Sequence, residues 1–231
     1  MKKIGLVGGT GPESTLMYYK ELNSRIDTLS GEKAMPELCI ESVDFRRAWK
    51  YVCNKEYNKL AQYLSEKIQN LQKTGCTVIS LTAVTMHIVF DELAKVCNTE
   101  LPLVSIPKAI CEQVASRNIK KIGLLGTIFT MEQDYMKKDF QEAGIKVFVP
   151  EKSERELIAK RIYEELEKGI VKESTLTEFV EIINKMVERD GIEGIILGCT
   201  ELPLLLNSKN CPIPCFDSVE IHIKKIIELA M

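Results

Sequence analysis

Short apolar runs alternate along the chain with longer segments in which apolar side chains recur at helical spacing. The short runs have the length of buried strands, and the longer segments have the period of amphipathic helices. Strands are predicted at Lys3–Val7, Leu38–Val43, Thr77–Leu81, Leu103–Ser105, Lys121–Leu125, Lys146–Val149, Gly194–Leu197 and Pro214–Phe216. Helices are predicted at Ser14–Thr28, Glu56–Lys73, Pro107–Ser116, Met131–Glu142, Ser153–Lys168, Ser174–Arg189 and Val219–Ala230. This alternation predicts an α/β fold with mainly parallel sheets covered by helices.

Two strand motifs occur twice. The segment KKIGLVG at 2–8 is echoed by KKIGLLG at 120–126, an offset of 118 positions. The segment VISLTA at 78–83 resembles GIILGC at 194–199, at an offset of 116. The near-equal offsets favour an internal duplication, although a shared preference of first strands for this pattern would also produce the first echo.

A duplication predicts two similar αβα lobes, related by a pseudo-twofold axis, with a ligand site in the cleft between them. The predicted first lobe covers residues 1–98 together with 211–231, because the last strand and helix are expected to return to it. The predicted second lobe covers residues 99–210.

Composition and charge exclude several classes of partner. The chain has 231 residues, of which 45% are hydrophobic, so it can bury a substantial core. Its net charge of −2 does not indicate nucleic acid or a membrane surface as a partner. The sequence contains neither an apolar run of about 20 residues nor a signal-peptide pattern, so we expect a cytoplasmic protein.

The eight cysteines are predicted to be free thiols. None of them forms a CxxC pair, and the chain has only two histidines, so we expect no metal site. Most of these thiols should be small buried side chains, and any catalytic cysteine must be identified by its setting. The cysteines lie at 39, 53, 76, 97, 111, 199, 211 and 215.

The glycine-rich turn GGTG at 8–11 lies between the first strand and the first helix. Such a turn can bind a dinucleotide, but the third glycine of that fingerprint falls at Ser14, and Glu13 lies where a phosphate would be held. The backbone amides, with the hydroxyls of Thr10 and Thr15, suit a small carboxylate instead. A plain tight turn and a nucleotide site remain the alternatives.

Cys199 follows a strongly apolar strand and precedes a helix-like segment. A thiol at a helix N-terminus has a lowered pKa, and the thiolate is the reactive form. Thr200 and the neighbouring amides could bind an anion. We therefore predict that Cys199 is a catalytic thiol rather than a buried filler residue.

Several motifs together resemble the aspartate/glutamate racemase family, and they cover nearly the whole chain in the expected order. The motifs are GGTGPEST at 8–15, TMH at 85–87, GT at 126–127, KRIYEELEKGI at 160–170, GCTE at 198–201 and FDSVEIH at 216–222. The resemblance implies an amino acid racemase that needs neither pyridoxal phosphate (PLP) nor a metal. In that family one thiolate removes the α-proton and a second thiol delivers a proton to the opposite face. The implied ligand is a small amino acid or dicarboxylate, and the implied assembly is a homodimer.

The sequence departs from this family in the first lobe. Where the family has Cys-Asn-Thr, this chain has Ala83, Val84 and Thr85, so the first catalytic thiol is missing. One hypothesis is a racemase that retains Cys199 and uses a water, Thr82 or Thr85 as its partner. The alternatives are a single-cysteine decarboxylase of the same superfamily and a catalytically silent dicarboxylate-binding protein.

Four further side chains are candidates for holding the substrate. Arg46 and Arg47 follow the second predicted strand and could clamp a carboxylate, although surface arginines are common. The resemblance adds Lys160, where the family has a basic residue, and Thr127 of the Gly-Thr motif. A solvated helix face is the alternative for Lys160.

Both histidines are predicted to be structural. His87 lies near a helix start and is expected to make a structural hydrogen bond, with a ligand-polarising role as the alternative. His222 lies on the last predicted helix. The single tryptophan, Trp49, is expected either to cover the ligand or to pack.

Overall fold

The computed structural model describes residues 1–97 and 103–231, and it contains every predicted strand within one residue of its predicted bounds. The strands are β1 Ile4–Gly8, β2 Leu38–Ser42, β3 Val78–Leu81, β4 Leu103–Val104, β5 Lys121–Leu125, β6 Lys146–Phe148, β7 Ile195–Leu197 and β8 Cys215–Asp217. The α-helices are α1 Pro12–Ser30, α2 Phe45–Cys53, α3 Tyr57–Lys73, α4 Phe90–Val96, α5 Ile106–Ser116, α6 Ile128–Glu132, α7 Lys138–Glu142, α8 Lys152–Glu164, α9 Glu173–Asp190 and α10 Ser218–Ala230. Short 3₁₀ helices lie at Val84–Val89, Leu166–Lys168 and Leu202–Leu204.

The strands form two four-stranded sheets in which every described ladder is parallel. The strand order is β2-β1-β3-β4 in one sheet and β6-β5-β7-β8 in the other, so both sheets have the same topology. The repeated motifs at 2–8 and 120–126 form β1 and β5, which occupy the same position in their two sheets. This equivalence confirms the predicted fold class of two similar α/β lobes.

The chain divides into two compact units at positions that differ from the predicted boundaries. The first unit is Met1–Ser105 with His222–Met231, and the second unit is Ile106–Ile221. The predicted boundary at 98/99 lies outside the described residues. The prediction that the last strand returns to the first lobe is wrong, because β8 pairs with β7 and completes the second sheet. Only the later part of α10 belongs to the first unit.

Two helical segments differ from the predictions for identifiable reasons. The sequence reading missed α2, although Asp44 caps it by accepting hydrogen bonds from the amides of Arg46 and Arg47. The predicted helix at 131–142 is broken into α6 and α7. Met131 and Met136 are both buried, and a continuous helix would turn them about 140° apart, so the break lets both face the core. Among the described residues, no helix has the length and apolarity needed to cross a membrane.

The topology decides where a ligand site can form in each unit. In the first unit β1 and β3 are neighbours although β2 lies between them in sequence, and in the second unit β5 and β7 have the same relationship. The loops at the carboxyl ends of such strands lie at a topological switch point, which is the usual ligand position in open α/β sheets. The glycine-rich turn, the segment from Thr82, the Gly-Thr motif and Cys199 all follow these four strands.

Candidate active site

The glycine-rich turn of the first unit is packed closely against the end of β2. Gly9 has φ of 82°, and a Cβ on it would overlap Ser42 Oγ and lie 2.7 Å from Val43 O, so only glycine fits. Helix α1 begins at Pro12, and its N-cap, Gly11, offers no side-chain acceptor to the first turn. Thr10 Oγ1 is buried and has no hydrogen-bond partner among the described residues. The turn therefore presents donors that suit an anion.

Thr82 links β3 to this turn and is fully engaged in doing so. Ser14 Oγ donates to Thr82 O at 2.6 Å, and Thr82 Oγ1 donates to Val7 O at 3.3 Å. Thr82 Oγ1 also lies 3.3 Å from Thr15 Oγ1, which accepts from the Gly9 amide at 3.0 Å. Only 1% of Thr82 is exposed, and its hydroxyl is hydrogen-bonded within the first unit, so its role in proton transfer stays a prediction.

The 3₁₀ helix at Val84–Val89 follows Ala83, whose methyl side chain carries no exchangeable proton. His87 Nδ1 donates to Ala83 O at 3.0 Å, and burial lowers the pKa of His87 to about 4. His87 is therefore neutral at physiological pH, and its predicted structural role is confirmed. Thr85 is half-buried and is the other candidate hydroxyl of this segment.

The two arginines after β2 lie on the exposed surface of α2. Arg47 Nε donates to Tyr51 Oη at 3.1 Å, and its guanidinium lies 4.4 Å from the centre of the Tyr63 ring. Arg47 thus contacts the surface of its own unit, and its role in holding a substrate carboxylate stays a prediction. Arg46 is exposed on the same helix, and Trp49 is 40% exposed.

In the second unit a close backbone approach fixes the position of Cys199. The Gly198 amide donates to Leu125 O at 2.8 Å, and a Cβ on Gly198 would lie 2.8 Å from that same oxygen. Any larger residue would push the end of β7 away from β5. Cys199 is the next residue, and its Sγ donates to Glu201 Oε2 at 2.7 Å.

The surroundings of Cys199 raise its pKa well above the usual value for a thiol. Burial is the largest cause, the nearby Glu201 carboxylate is the next, and Glu167 adds to the same effect. The expectation of a lowered pKa is therefore wrong. The helix after Cys199 is a three-residue 3₁₀ turn, too short for a substantial dipole, whereas the carboxylate is in direct contact.

The match to a family model decides which group of proteins this chain resembles as a whole. The model of the Asp/Glu/hydantoin racemases matches residues 7–226. The chain belongs to this family. The match spans both units, and it includes the turn at 8–11 and Cys199.

Solved structures agree with this assignment to the racemase family. An aspartate racemase homologue from Pyrococcus horikoshii OT3 is 40% identical over 100% of this chain and 99% of its own, with a TM-score of 0.89. A Yersinia pestis protein provisionally named an Asp/Glu racemase is 36% identical over 100% and 99% of the two chains, with a TM-score of 0.93. Glutamate racemase from Francisella tularensis, in complex with D-glutamate, is 16% identical over 99% and 80%, with a TM-score of 0.68, and shares the fold.

The other predicted residues of this racemase-family chain have mixed outcomes. Thr127 is the N-cap of α6, and its Oγ1 accepts from the Thr130 amide at 3.2 Å. Lys160 is exposed on α8, 4.0 Å from Glu164, so the structure gives it a solvated helix face. Thr200 is half-buried in the turn after Cys199.

Two carboxylates near the thiol were missed by the sequence reading. Glu201 is the last residue of the GCTE motif, and its position two residues after Cys199 was the available signal. Glu167 carries a pKa raised by burial and then by the charge of Glu201. No local pattern distinguishes Glu167 from the other glutamates of its segment, because only folding brings its charge near the thiol.

Proposed function

We propose that this chain is an amino acid racemase of the aspartate/glutamate type that works without PLP, with Cys199 as its acid–base thiol. The observation that carries the proposal is the 2.7 Å contact between Cys199 Sγ and Glu201 Oε2 at the carboxyl end of β7. A thiol and a carboxylate at this distance can share one proton. Membership of the racemase family supports the same reaction class.

In this proposal Glu201 controls the protonation state of Cys199. The raised pKa keeps Cys199 as a neutral thiol at rest, so it is ready to donate a proton to a carbanion at the α-carbon. To act as a base, Cys199 first passes its proton to Glu201 Oε2. The resulting thiolate then takes the α-proton and becomes the neutral thiol again.

The donors of the glycine-rich turn remain the predicted carboxylate-binding group of the first unit. The unpartnered Thr10 hydroxyl and the uncapped first turn of α1 support this assignment. Ala83 carries no exchangeable proton, so the proton on the opposite face has to come from Thr82, from Thr85 or from a water. Assembly of the chain as a homodimer remains a prediction.

Hydrogen exchange at the α-carbon tests the proposal directly. L- and D-aspartate and L- and D-glutamate are incubated with the full chain in D₂O, and deuterium incorporation is followed by NMR. We expect exchange with at least one of the four amino acids, and we expect Cys199→Ala to abolish it. Cys53→Ala is the matched control, because Cys53 is exposed on α2 and lies in the other unit.

The stereochemistry of the product distinguishes full racemisation from exchange on one face. We expect the double variant Ala83→Cys with Val84→Asn to increase racemisation by about tenfold or more, because it supplies a second acid–base thiol. If no amino acid exchanges its α-proton but a substituted malonate releases CO₂, the chain would instead be a decarboxylase. Absence of both reactions, with a saturable thermal shift by a dicarboxylate, would identify a binding protein.

A further inference from the structure

Two thiols of the first unit approach each other across a glycine at the amino ends of the strands. Gly5 on β1 pairs in register with Cys39 on β2, so both residues face the same side of the sheet. A Cβ on Gly5 would lie 3.0 Å from the Cβ of Cys76, which precedes β3. The missing side chain at Gly5 thus leaves space over this glycine, and the side chains of Cys39 and Cys76 both border that space.

Polar groups surround this pair of thiols. Thr74 Oγ1 lies 3.5 Å from Cys76 Sγ, and Cys76 Sγ donates to Ile4 O at 3.4 Å. Lys3 Nζ donates to Thr74 O at 2.8 Å, which places a cation beside the pair. A hydroxyl and an ammonium group next to a thiol stabilise its thiolate form.

The two thiols differ in access and in acidity. Cys39 is half-buried, and the hydrogen bond from Thr74, followed by Cys76 and the charge of Lys3, lowers its pKa. Cys76 is buried, and burial raises its pKa. This combination of an accessible acidic thiol and a buried neighbour suits a nucleophilic thiol with a resolving partner.

We propose that Cys39 and Cys76 form a redox-active dithiol that closes into a disulfide by exchange with a low-molecular-weight disulfide. The Cys39 thiolate attacks one sulfur of the small disulfide, and the released thiolate takes up a proton. Cys76 then loses its proton, attacks Cys39 Sγ in the mixed disulfide and expels the second small thiol. Two electrons pass from the cysteines to the small disulfide, and one intramolecular disulfide and two small thiols are formed.

This site is separate from the proposed racemase site. The dithiol lies at the amino ends of β1 and β2, whereas the glycine-rich turn and Thr82 follow the carboxyl ends of β1 and β3. Its chemistry does not require Cys199. The proposal can therefore hold or fail independently of the proposed function.

Disulfide mapping on the full natural chain tests the proposal. The protein is equilibrated with glutathione disulfide and glutathione, free thiols are alkylated, and the peptides are identified by mass spectrometry. We expect a peptide pair linked through Cys39 and Cys76, and we expect excess glutathione to open it again. The linked form should persist in the Cys53→Ser control, because Cys53 is exposed on α2 and takes no part in the exchange.

Single variants separate the two roles. In Cys76→Ser the exchange should stop at a glutathione adduct on Cys39, formed about tenfold faster than the adduct on Cys53 at neutral pH. In Cys39→Ser, Cys76 should remain free of glutathione. Three results would overturn the proposal. The first is a disulfide between Cys39 and Cys53, and the second is glutathione that remains on Cys39 of the natural chain. The third is equal alkylation of Cys39 and Cys76 with and without glutathione disulfide.

Discussion

The thiol of Cys199 shows how one neighbouring residue can reverse an expectation drawn from local sequence. A cysteine between a strand and a helix is expected to be acidic. Here the Glu201 carboxylate accepts its hydrogen bond at 2.7 Å, and burial with this charge raises the pKa of the thiol. The pair is therefore a proton-sharing unit rather than a preformed thiolate.

Replacing Glu201 by glutamine separates acidity from proton transfer at this pair. In Glu201→Gln the negative charge is lost, so the pKa of Cys199 should fall toward its usual value. Alkylation of Cys199, followed by mass spectrometry across pH, should then have a lower midpoint. The α-proton exchange should nevertheless fall about 10- to 100-fold, because the amide cannot accept the thiol proton.

The neighbouring glutamate gives a control for this change. Glu167→Gln removes a charge that raises the pKa of Cys199 less than Glu201 does. The pH midpoint of Cys199 alkylation should therefore fall by less than it does in Glu201→Gln. An unchanged midpoint in Glu201→Gln, or exchange that becomes faster, would contradict the assigned role of Glu201.

At the scale of elements, a buried carboxylate joins α8 to α9. Glu165 Oε1 accepts from Arg161 at 2.9 Å and from Lys172 at 3.1 Å, and Glu165 Oε2 accepts from Thr175 at 2.6 Å. The Thr175 hydrogen bond is the largest cause that lowers the pKa of Glu165, and the two cations add to it. This junction holds the 3₁₀ turn that carries Glu167.

Glu165→Gln should lower the melting temperature clearly, because it leaves two cations facing a neutral amide. Glu164→Gln is the matched control, since 49% of the Glu164 side chain is exposed and its contact with Lys160 is 4.0 Å long. Because the pKa of Glu165 is lowered in the folded chain, its contribution is present above its usual pKa and is lost as the pH falls through the acid range. Equal melting temperatures for the two variants by circular dichroism would contradict this role.

At the scale of the whole molecule, the end of the chain is tied into the first unit through His222. The Nε2–H of His222 donates to Val104 O at 3.0 Å, so Nδ1 is the acceptor and Tyr18 Oη donates to it at 2.7 Å. Burial, followed by the nearby His87, lowers the pKa of His222 to about 3. Both histidines of the chain are therefore neutral and buried in this unit.

The lowered pKa values of the two histidines lead us to expect that the first unit is less stable in acid. Their pKa values are lower in the folded chain than in the unfolded chain, so unfolding binds protons and stability falls as the pH falls below about 6.5. At pH 5 the loss should be about 2 kcal/mol for each histidine. Urea unfolding at pH 7 and pH 5, followed by the fluorescence of Trp49 in the first unit, measures it.

His87→Asn is the informative variant for this pH dependence. Asparagine keeps a donor for Ala83 O but does not titrate, so the loss of stability between pH 7 and pH 5 should be about half that of the natural chain. A variant with the full pH dependence would show that His87 is not one of the groups responsible.

Hydrophobic periodicity and local motifs predicted the strands and two parts of the candidate site, because these features depend on residues close together in the sequence. Every strand that the structure describes lies within one residue of its predicted bounds, since the short length of these apolar runs and the helical segments between them favour strands. The same local signals gave the glycine-rich turn and Cys199. They missed α2, although its capping residue Asp44 and the helical spacing of Phe45, Ala48 and Val52 were available signals.

By itself the sequence determined the positions of the strands along the chain, the two repeated strand motifs and the segments that follow the central strands. Only the tertiary structure decided that β8 completes the second sheet, that Thr82 and Arg47 are held by their own unit, and that Glu201 raises the pKa of Cys199. It also decided that Cys39 and Cys76, far apart in sequence, approach each other across Gly5. The physical reason is that burial, electrostatic environment and the pairing of distant side chains depend on contacts between segments, which no local pattern encodes.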